Sequence, residues 1–478
     1  MSVTGPRPAW FIVTQHWVSL LGSVLIITAL ISWLFVLPLQ VRGHASNPYV
    51  GIIVFLALPV LFFAGLALVP IGVYFSKRRI REGLAQPNFD RKSALRRIAW
   101  VFMVVTILNI LIGTQLTYRA VTYMETPQFC GASCHSMTPE LAAYRNSPHS
   151  RVECVDCHVA PGAAGWINSK TNGLHQLAST VLGMTPRPIP SALESNRLIP
   201  SADTCEHCHS PQHFAGARLR VISKYAEDES NTRTETVLLM LVGGNGITGI
   251  HGAHFGPGIH IRFAAADPAR QTIPWVEYRN TVTGDLRTFA VAEPPADSAK
   301  ALSTFEMQCV DCHNRPTHTF DLPERAMDKA LAFGDLPATL PFIKREGVEL
   351  LRTKYNSGQA AADELPLKLG KFYQENYPEL YTKREGAIRQ AAHAVLAIYQ
   401  RNVFPELNVS WGTYPNNLGH TDFPGCFRCH DGGHATADGK VITQDCNNCH
   451  EPLATDETNP DVLRALGLAQ RINSVQKP

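Results

Sequence analysis

All twelve cysteines fall into six pairs, and each pair is followed at once by a histidine. The sets are Cys130/Cys134 with His135, Cys154/Cys157 with His158, Cys205/Cys208 with His209, Cys309/Cys312 with His313, Cys426/Cys429 with His430, and Cys446/Cys449 with His450. Five read CxxCH; the first, CGASCH, carries one extra residue. The spacing has a chemical reason. Two thiols add across the two vinyl groups of one haem, and the next residue's imidazole then faces the iron. Zinc ribbons also use paired CxxC, but they do not demand a histidine after each pair. The pattern therefore implies six haem c groups, with those six histidines as proximal ligands. The inserted residue of the first motif must bulge, which leaves open attachment through one thioether or two.

Low-spin electron-transfer haems each need a second axial ligand, and few side chains supply one. Nineteen histidines are present, so thirteen remain after the proximal set. His149, His251, His254, His318, His420 and His434 are the better placed distal candidates; His175, His213, His260 and His393 rank below them. A lone histidine is ordinarily a solvated or hydrogen-bonded side chain. Six irons in need of ligands reverse that expectation. His16, at the start of an apolar run, reads as structural, and His44 lies in a short loop. His207, between the two cysteines of its motif, should point away from the iron.

Three apolar runs must position this chemistry. Trp17–Leu39, Tyr49–Phe75 and Ile98–Tyr118 contain no charged residue, and each matches the roughly 20 residues that cross a bilayer as a helix. A signal peptide plus two core helices is the alternative, but a signal peptide's apolar region is only about 7–15 residues. The loop between the second and third runs holds Lys77, Arg78, Arg79, Arg81, Arg91, Lys92, Arg96 and Arg97, whereas the first loop holds only Arg42. Positive loops stay in the cytoplasm. The N-terminus is then cytoplasmic, and everything after Tyr118 lies on the outer face of the bacterial inner membrane, in the periplasm. Residues 1–118 hold ten Lys/Arg and two acids, within a chain of net charge +3, so the remainder is mildly acidic. That balance argues against nucleic-acid binding, which needs a clustered basic face.

The segment Glu125–Lys170 resembles the NapC/NirT/NrfH family of membrane-bound quinol dehydrogenases, through TPQFCGASCHSM (126–137), YRNSPHS (144–150), VECVDCHVAPG (152–162) and Lys170. The resemblance implies that Met137, in CHSM, can replace histidine as ligand to the first haem iron. It also implies that His149 is the distal ligand of the third haem. Lys170 falls where the family has its quinol-side lysine. Leu177 stands where the family has an acid, so His175 or Gln176 would stand in for it, with His175 the candidate for proton chemistry. Pieces further on, GIHGAH (249–254), CVDCHNRPTH (309–318) and GHTDFPGCFRCHDGGH (419–434), resemble segments of extended cytochromes of the same kind.

The expected organisation is a membrane domain of three helices (1–121), a haem region with little regular structure (122–214), a β-rich insertion (215–300) and a C-terminal haem region with helices (301–478). In the insertion, ARLRVISKY, TETVLLMLV, IHIRFAAA and IPWVEYRN read as strands. Its tip, GIHGAHFGPGIH, should deliver His251 and His254 to irons elsewhere. The stretch GGNGITG (243–249) lacks the strand-to-helix context of a phosphate loop and reads as a turn. The leading functional expectation is oxidation of quinol from the membrane pool, with electrons passed along six haems to a periplasmic redox partner. Lys170 and His175 are the candidate catalytic residues; for Lys170, anchorage to lipid headgroups is the plainer role. The reverse reaction, quinone reduction, and a passive electron-transfer subunit that meets other membrane subunits through the extra helices remain open.

Overall fold

In the computed structural model, the described residues are 13, 16–40, 58–82, 91–132, 135–195, 199–209, 216–243, 248–292 and 303–468. The chain divides into two compact units, residues 1–129 and 130–478.

The first unit holds three long helices, α1 (Trp17–Gln40), α2 (Leu58–Arg81) and α3 (Arg91–Met124). α1 and α2 meet through glycine and serine. A Cβ built at Gly72 would lie 2.3 Å from Ser19 N, and one at Gly65 would lie 2.7 Å from Gly22 O. Such close backbone approach is how apolar helices associate where no hydrophobic drive exists between them. Large side chains point outward instead: Phe63 is 64% exposed and Phe102 is 72%. By length and composition, two helices suit a membrane crossing, Leu58–Arg81 and Leu95–Met124. The first expected span is also helical, but its described side chains cover only the shorter apolar stretch Trp17–Trp33. Residues 49–57 of the second lie outside the described residues. α2 runs on past its apolar run to Arg78, Arg79 and Arg81, because basic side chains suit a helix C-terminus.

The second unit opens with helices where little regular structure was expected. These are α4 (Pro127–Ala132, crossing the boundary), α5 (Thr138–Arg145), α6 (Cys154–His158) and the 20-residue α7 (Gly162–Val181). The α7 sequence has helical period: Ala163, Trp166, Ile167, Lys170, Leu174, Leu177 and Val181 recur every three or four positions, one face of a helix. Two sheets follow. One has the order β1-β2-β7, from β1 (Gly216–Tyr225), β2 (Arg233–Gly243) and β7 (His450–Glu457). The other has the order β5-β4-β3-β6, from β3 (Ile259–Ala265), β4 (Trp275–Asn280), β5 (Asp285–Ala290) and β6 (Ser303–Glu306). All pairings are antiparallel, with Val221 opposite Val237 and Val237 opposite Ala454. The expected insertion is thus no separate module: β6 and β7 come from beyond it. The C-terminal haem region, expected to carry helices, thus also supplies a strand, β7, because β2 would otherwise leave an edge unpaired.

Between the sheets runs α8 (Gly249–Phe255). It begins at Gly249, φ +73°, where a Cβ would meet Leu241 O at 2.5 Å; only glycine suits that turn. The main core lies in α10 (Pro323–Phe333), α11 (Ile343–Arg352), α12 (Gly358–Asn376) and α13 (Pro378–Asn402), with α9 (Cys309–Cys312) before them. Met327, Leu331, Ile343, Leu365, Tyr373, Ile388 and Tyr399 are buried there. Asn231, in the β1–β2 turn, locks this core to the first sheet. It donates to Ala338 O and Leu340 O at 3.0 and 2.8 Å and accepts from Lys344 N at 2.9 Å.

Candidate functional site

Three of the haem motifs close in the same tight turn. The backbone N–H of His209 donates to Cys205 O at 2.8 Å, that of His313 to Cys309 O at 2.8 Å, and that of His430 to Cys426 O at 3.1 Å. This turn brings first cysteine and histidine to one side of the chain, as one macrocycle requires. In α6 and α9 an acid inside the motif completes a capping box: Asp156 with Glu153, and Asp311 with Gln308, which satisfies the free N–H groups of a very short helix.

Five of the proximal histidines face a second histidine. The ring centroids of His149 and His209 are 5.9 Å apart, those of His158 and His318 6.2 Å, and those of His251 and His313 6.3 Å. His254 and His430 stand at 5.9 Å, and His420 and His450 at 6.1 Å. Two imidazoles on opposite sides of one metal, with metal–nitrogen bonds of about 2 Å, place their centroids about 6 Å apart. The five pairs share that spacing although their members come from distant parts of the chain. α8 serves two motifs at once, since His251 and His254 sit one turn apart on it.

Hydrogen bonds aim several of these rings. Nδ1 of His254 lies 2.7 Å from Ile250 O, and Nδ1 of His430 lies 2.7 Å from Thr443 O. Nδ1 of His318 is 3.0 Å from Glu140 O, and Nδ1 of His149 is 3.3 Å from Pro316 O. A carbonyl at Nδ1 fixes the proton there and leaves the Nε2 lone pair for a metal. Burial also pushes His158, His251, His254 and His313 below the ordinary imidazole value, which favours the neutral form that binds metals. Burial raises the Cys312 thiol to about 11 and Cys429 to about 12. The Cys154 thiol donates to Cys130, holding Cys130 down to about 7 and itself up.

A cavity of about 2000 Å³ is lined by four of the five histidine pairs, by cysteines of the last five motifs, and by apolar side chains such as Ile222, Leu238, Phe263 and Phe320. A pocket for one drug-sized ligand is roughly 300–1,000 Å³, so this space suits several flat apolar groups. Among the described residues, no three His, Cys, Asp or Glu side chains converge as a metal site. Pairs of imidazoles beside paired thiols fit haem c, whose porphyrin supplies the other four iron ligands.

Other expected ligands sit differently. His434 does not meet a motif. It is 1% exposed, its Nδ1 is 2.8 Å from Asp431 Oδ1, and its Nε2 is 2.7 Å from Ile273 O. Both ring nitrogens are engaged, so its role here is to pin the Asp431 turn to the second sheet. His260 is exposed beside Glu306 Oε1 at 3.3 Å, and His175 and His393 are exposed. Cys134, His213, His44 and the side chains of His135 and Leu177 lie outside the described residues. Met137 is half-buried in the 3-10 turn His135–Met137, directly before α5. Lys170 and His175 share α7, but five positions at 100° each set them about 140° apart around the helix. Lys170 lies on the apolar face, 5.4 Å from the Trp166 ring centroid, and His175 on the polar one.

Nothing in the sequence singled out Glu140, Arg270, Arg428 or Asp311. Arg428, between Cys426 and Cys429, donates Nε to Gly425 O at 2.9 Å, Nη1 to Arg270 O at 2.7 Å and Nη2 to Asp311 O at 2.7 Å. Arg270 Nη1 in turn donates to Asp311 Oδ1 at 2.7 Å. All three are buried, and together they clamp the fourth motif to the fifth.

The N-terminal region of the NapC/NirT cytochrome c family matches residues 92–236. The cytochrome c-type protein ImcH of Geobacter sulfurreducens is 36% identical over 453 residues, covering 92% of this chain and 89% of that one. The cytochrome c-type protein TorC of Escherichia coli is 27% identical over 140 residues, 25% of this chain and 35% of that one. No solved structure matches the chain.

Proposed function

The chain belongs to the NapC/NirT cytochrome c family, and from that premise we propose that it is a membrane-anchored quinol dehydrogenase carrying six haems. The five histidine pairs at 5.9–6.3 Å support the haem reading. Bound at these motifs, the haems supply one-electron acceptors at fixed positions along the chain. The thiols would hold them covalently, and the five histidine pairs would supply the ligands of five of the irons. The first motif differs in having Met137 close by, as the family pattern implies, so its haem is set apart chemically from the paired sites.

Quinol oxidation releases two protons and two electrons, and the protons must leave by a route of their own. The face of α7 supports a place for that step. Trp166, Ile167 and Leu174 are 41%, 57% and 66% exposed, and Lys170 sits among them. A helix of this kind lies in the membrane interface, apolar side toward lipid. A cation on that face can orient a quinol hydroxyl and favour loss of its proton. His175, on the opposite face, is poorly placed to touch the same hydroxyl and suits onward proton transfer toward water. Orientation follows the basic residues at 77–97, with the haem region on the periplasmic side.

The test is to mix the purified holoprotein alone with a quinol analogue and follow the haem Soret and α bands. Reduction by quinol, slowed in Lys170→Ala while dithionite reduction and haem content stay intact, is the expected result. No reduction by quinol in the native protein would reassign the chain as a passive carrier fed by a partner subunit.

A further inference from the structure

We infer that Glu140 is a positioning residue for electron flow: its buried negative charge lowers the reduction potential of the haem carried by Cys154 and Cys157. The inference rests on the reading that His158 and His318 hold that haem together. Glu140 lies on α5, and its Oε2 stands 3.1 Å from His318 Nδ1. That oxygen is buried and makes no hydrogen bond among the described residues, because the ring N–H is taken by Glu140's own backbone carbonyl at 3.0 Å. The carboxylate thus faces the imidazole as a bare charge rather than as a satisfied acceptor. Arg315 stands close by, its Nη1 3.5 Å from Glu140 Oε1. Arg315 is itself 8% exposed and stacks 4.1 Å from the Tyr414 ring centroid. Tyr414, also buried and pushed up to about 12, offers no second charge.

In the two other pairs with an Nδ1 contact described above, His149 of one and His254 and His430 of the other face backbone carbonyls, which carry partial charge only. The His158–His318 pair is therefore set apart by a formal charge. A negative charge beside an axial imidazole stabilises the oxidised iron over the reduced one, and outer-shell partners of a metal-bound histidine are a recognised means of tuning potential. Across one imidazole ring, a separation on the order of 7 Å, a unit charge at an effective dielectric of about 20 shifts a redox equilibrium by a factor of tens. Arg315 offsets part of this. The net shift expected is roughly tenfold, which is about 59 mV for a one-electron couple.

The experiment is a potentiometric titration of the holoprotein with three variants. Glu140→Gln should raise the potential of one haem by about that tenfold shift, and Arg315→Gln should lower the same haem. Opposite signs separate charge tuning from simple loss of packing, which would not reverse between the two. Glu140→Asp, with its charge retained but drawn back, should fall between native and Glu140→Gln, and it serves if Glu140→Gln loses haem. His318→Met tests the ligation separately: one haem should gain the charge-transfer band of methionine-ligated low-spin iron. If His318→Met converts one haem but the Glu140 variants move no potential, the charge-tuning role is overturned while the ligation stands. If His318→Met converts none, the shared haem itself is wrong and the inference falls with it.

Discussion

Replacing Arg428 with methionine should loosen the joint between the fourth and fifth haem motifs far more than it loosens the rest of the protein. The side chain is 9% exposed and donates to three carbonyls, those of Gly425, Arg270 and Asp311. Asp311 O keeps a second donor, Asn417 Nδ2 at 3.0 Å. Gly425 O keeps the backbone N–H of Arg428 within the 3-10 helix Gly425–Arg428. Arg270 O loses its donor. A buried polar group left unsatisfied costs about 1–3 kcal/mol, and relief from burying a cation returns part of it. The expected net loss is about 1.4 kcal/mol. A protein of several units with bound haems does not unfold in two states, so the readout should be local. Hydrogen exchange at residues 309–313 and 426–430 should quicken roughly tenfold, since each 1.4 kcal/mol is about tenfold. Arg428→Lys keeps the charge but cannot reach three carbonyls, and should fall between. Exchange within about threefold of native in Arg428→Met would refute the clamp.

Asp311→Asn should be milder, about 1 kcal/mol or less. Burial holds the Asp311 carboxyl above its usual range despite Arg270 and Arg428. The fold thus binds this proton more readily than the unfolded chain does. Its contribution to stability is full below the unfolded value of about 3.9 and declines as pH rises through the folded one. Denaturation at several pH values should show that decline in the native protein and its loss in Asp311→Asn. His254→Ala should convert one haem, that on Cys426/Cys429, to a high-spin form, whereas His251→Ala should convert the one on Cys309/Cys312; electron paramagnetic resonance counts the high-spin signal, and two converted haems in either variant would contradict the assignment. A reporter inserted in the loop 83–90 should be active only as a cytoplasmic fusion, and periplasmic activity there would invert the orientation.

The six cysteine pairs, each with its histidine, were legible in the sequence because thioether chemistry tolerates little variation in spacing, and haem attachment at them is proposed on that chemistry. The distal histidines were legible as a pool but largely not as pairs. His158 meets His318, and His420 meets His450, through folding of distant segments that no local pattern records. His434 shows the limit from the other side. HDGGH offers a histidine near a motif, yet an aspartate three residues before it captures the ring. The helix α7 was readable from its period of apolar residues and was passed over because two haem motifs flank it. β7 carries little strand character in HEPLATDE; it exists because β2 needs a neighbour. Glu140 lies close to His318 only through the tertiary fold, and a lone glutamate in a short helix carries no signal by itself.

The most direct measurement is a cryo-electron microscopy map of the detergent-solubilised holoprotein, resolved well enough to see macrocycles. Six porphyrins are expected, with five irons each between two imidazoles: His149 and His209, His158 and His318, His251 and His313, His254 and His430, His420 and His450. Fewer than six porphyrins, or any of these pairs divided between two irons, would contradict this expectation.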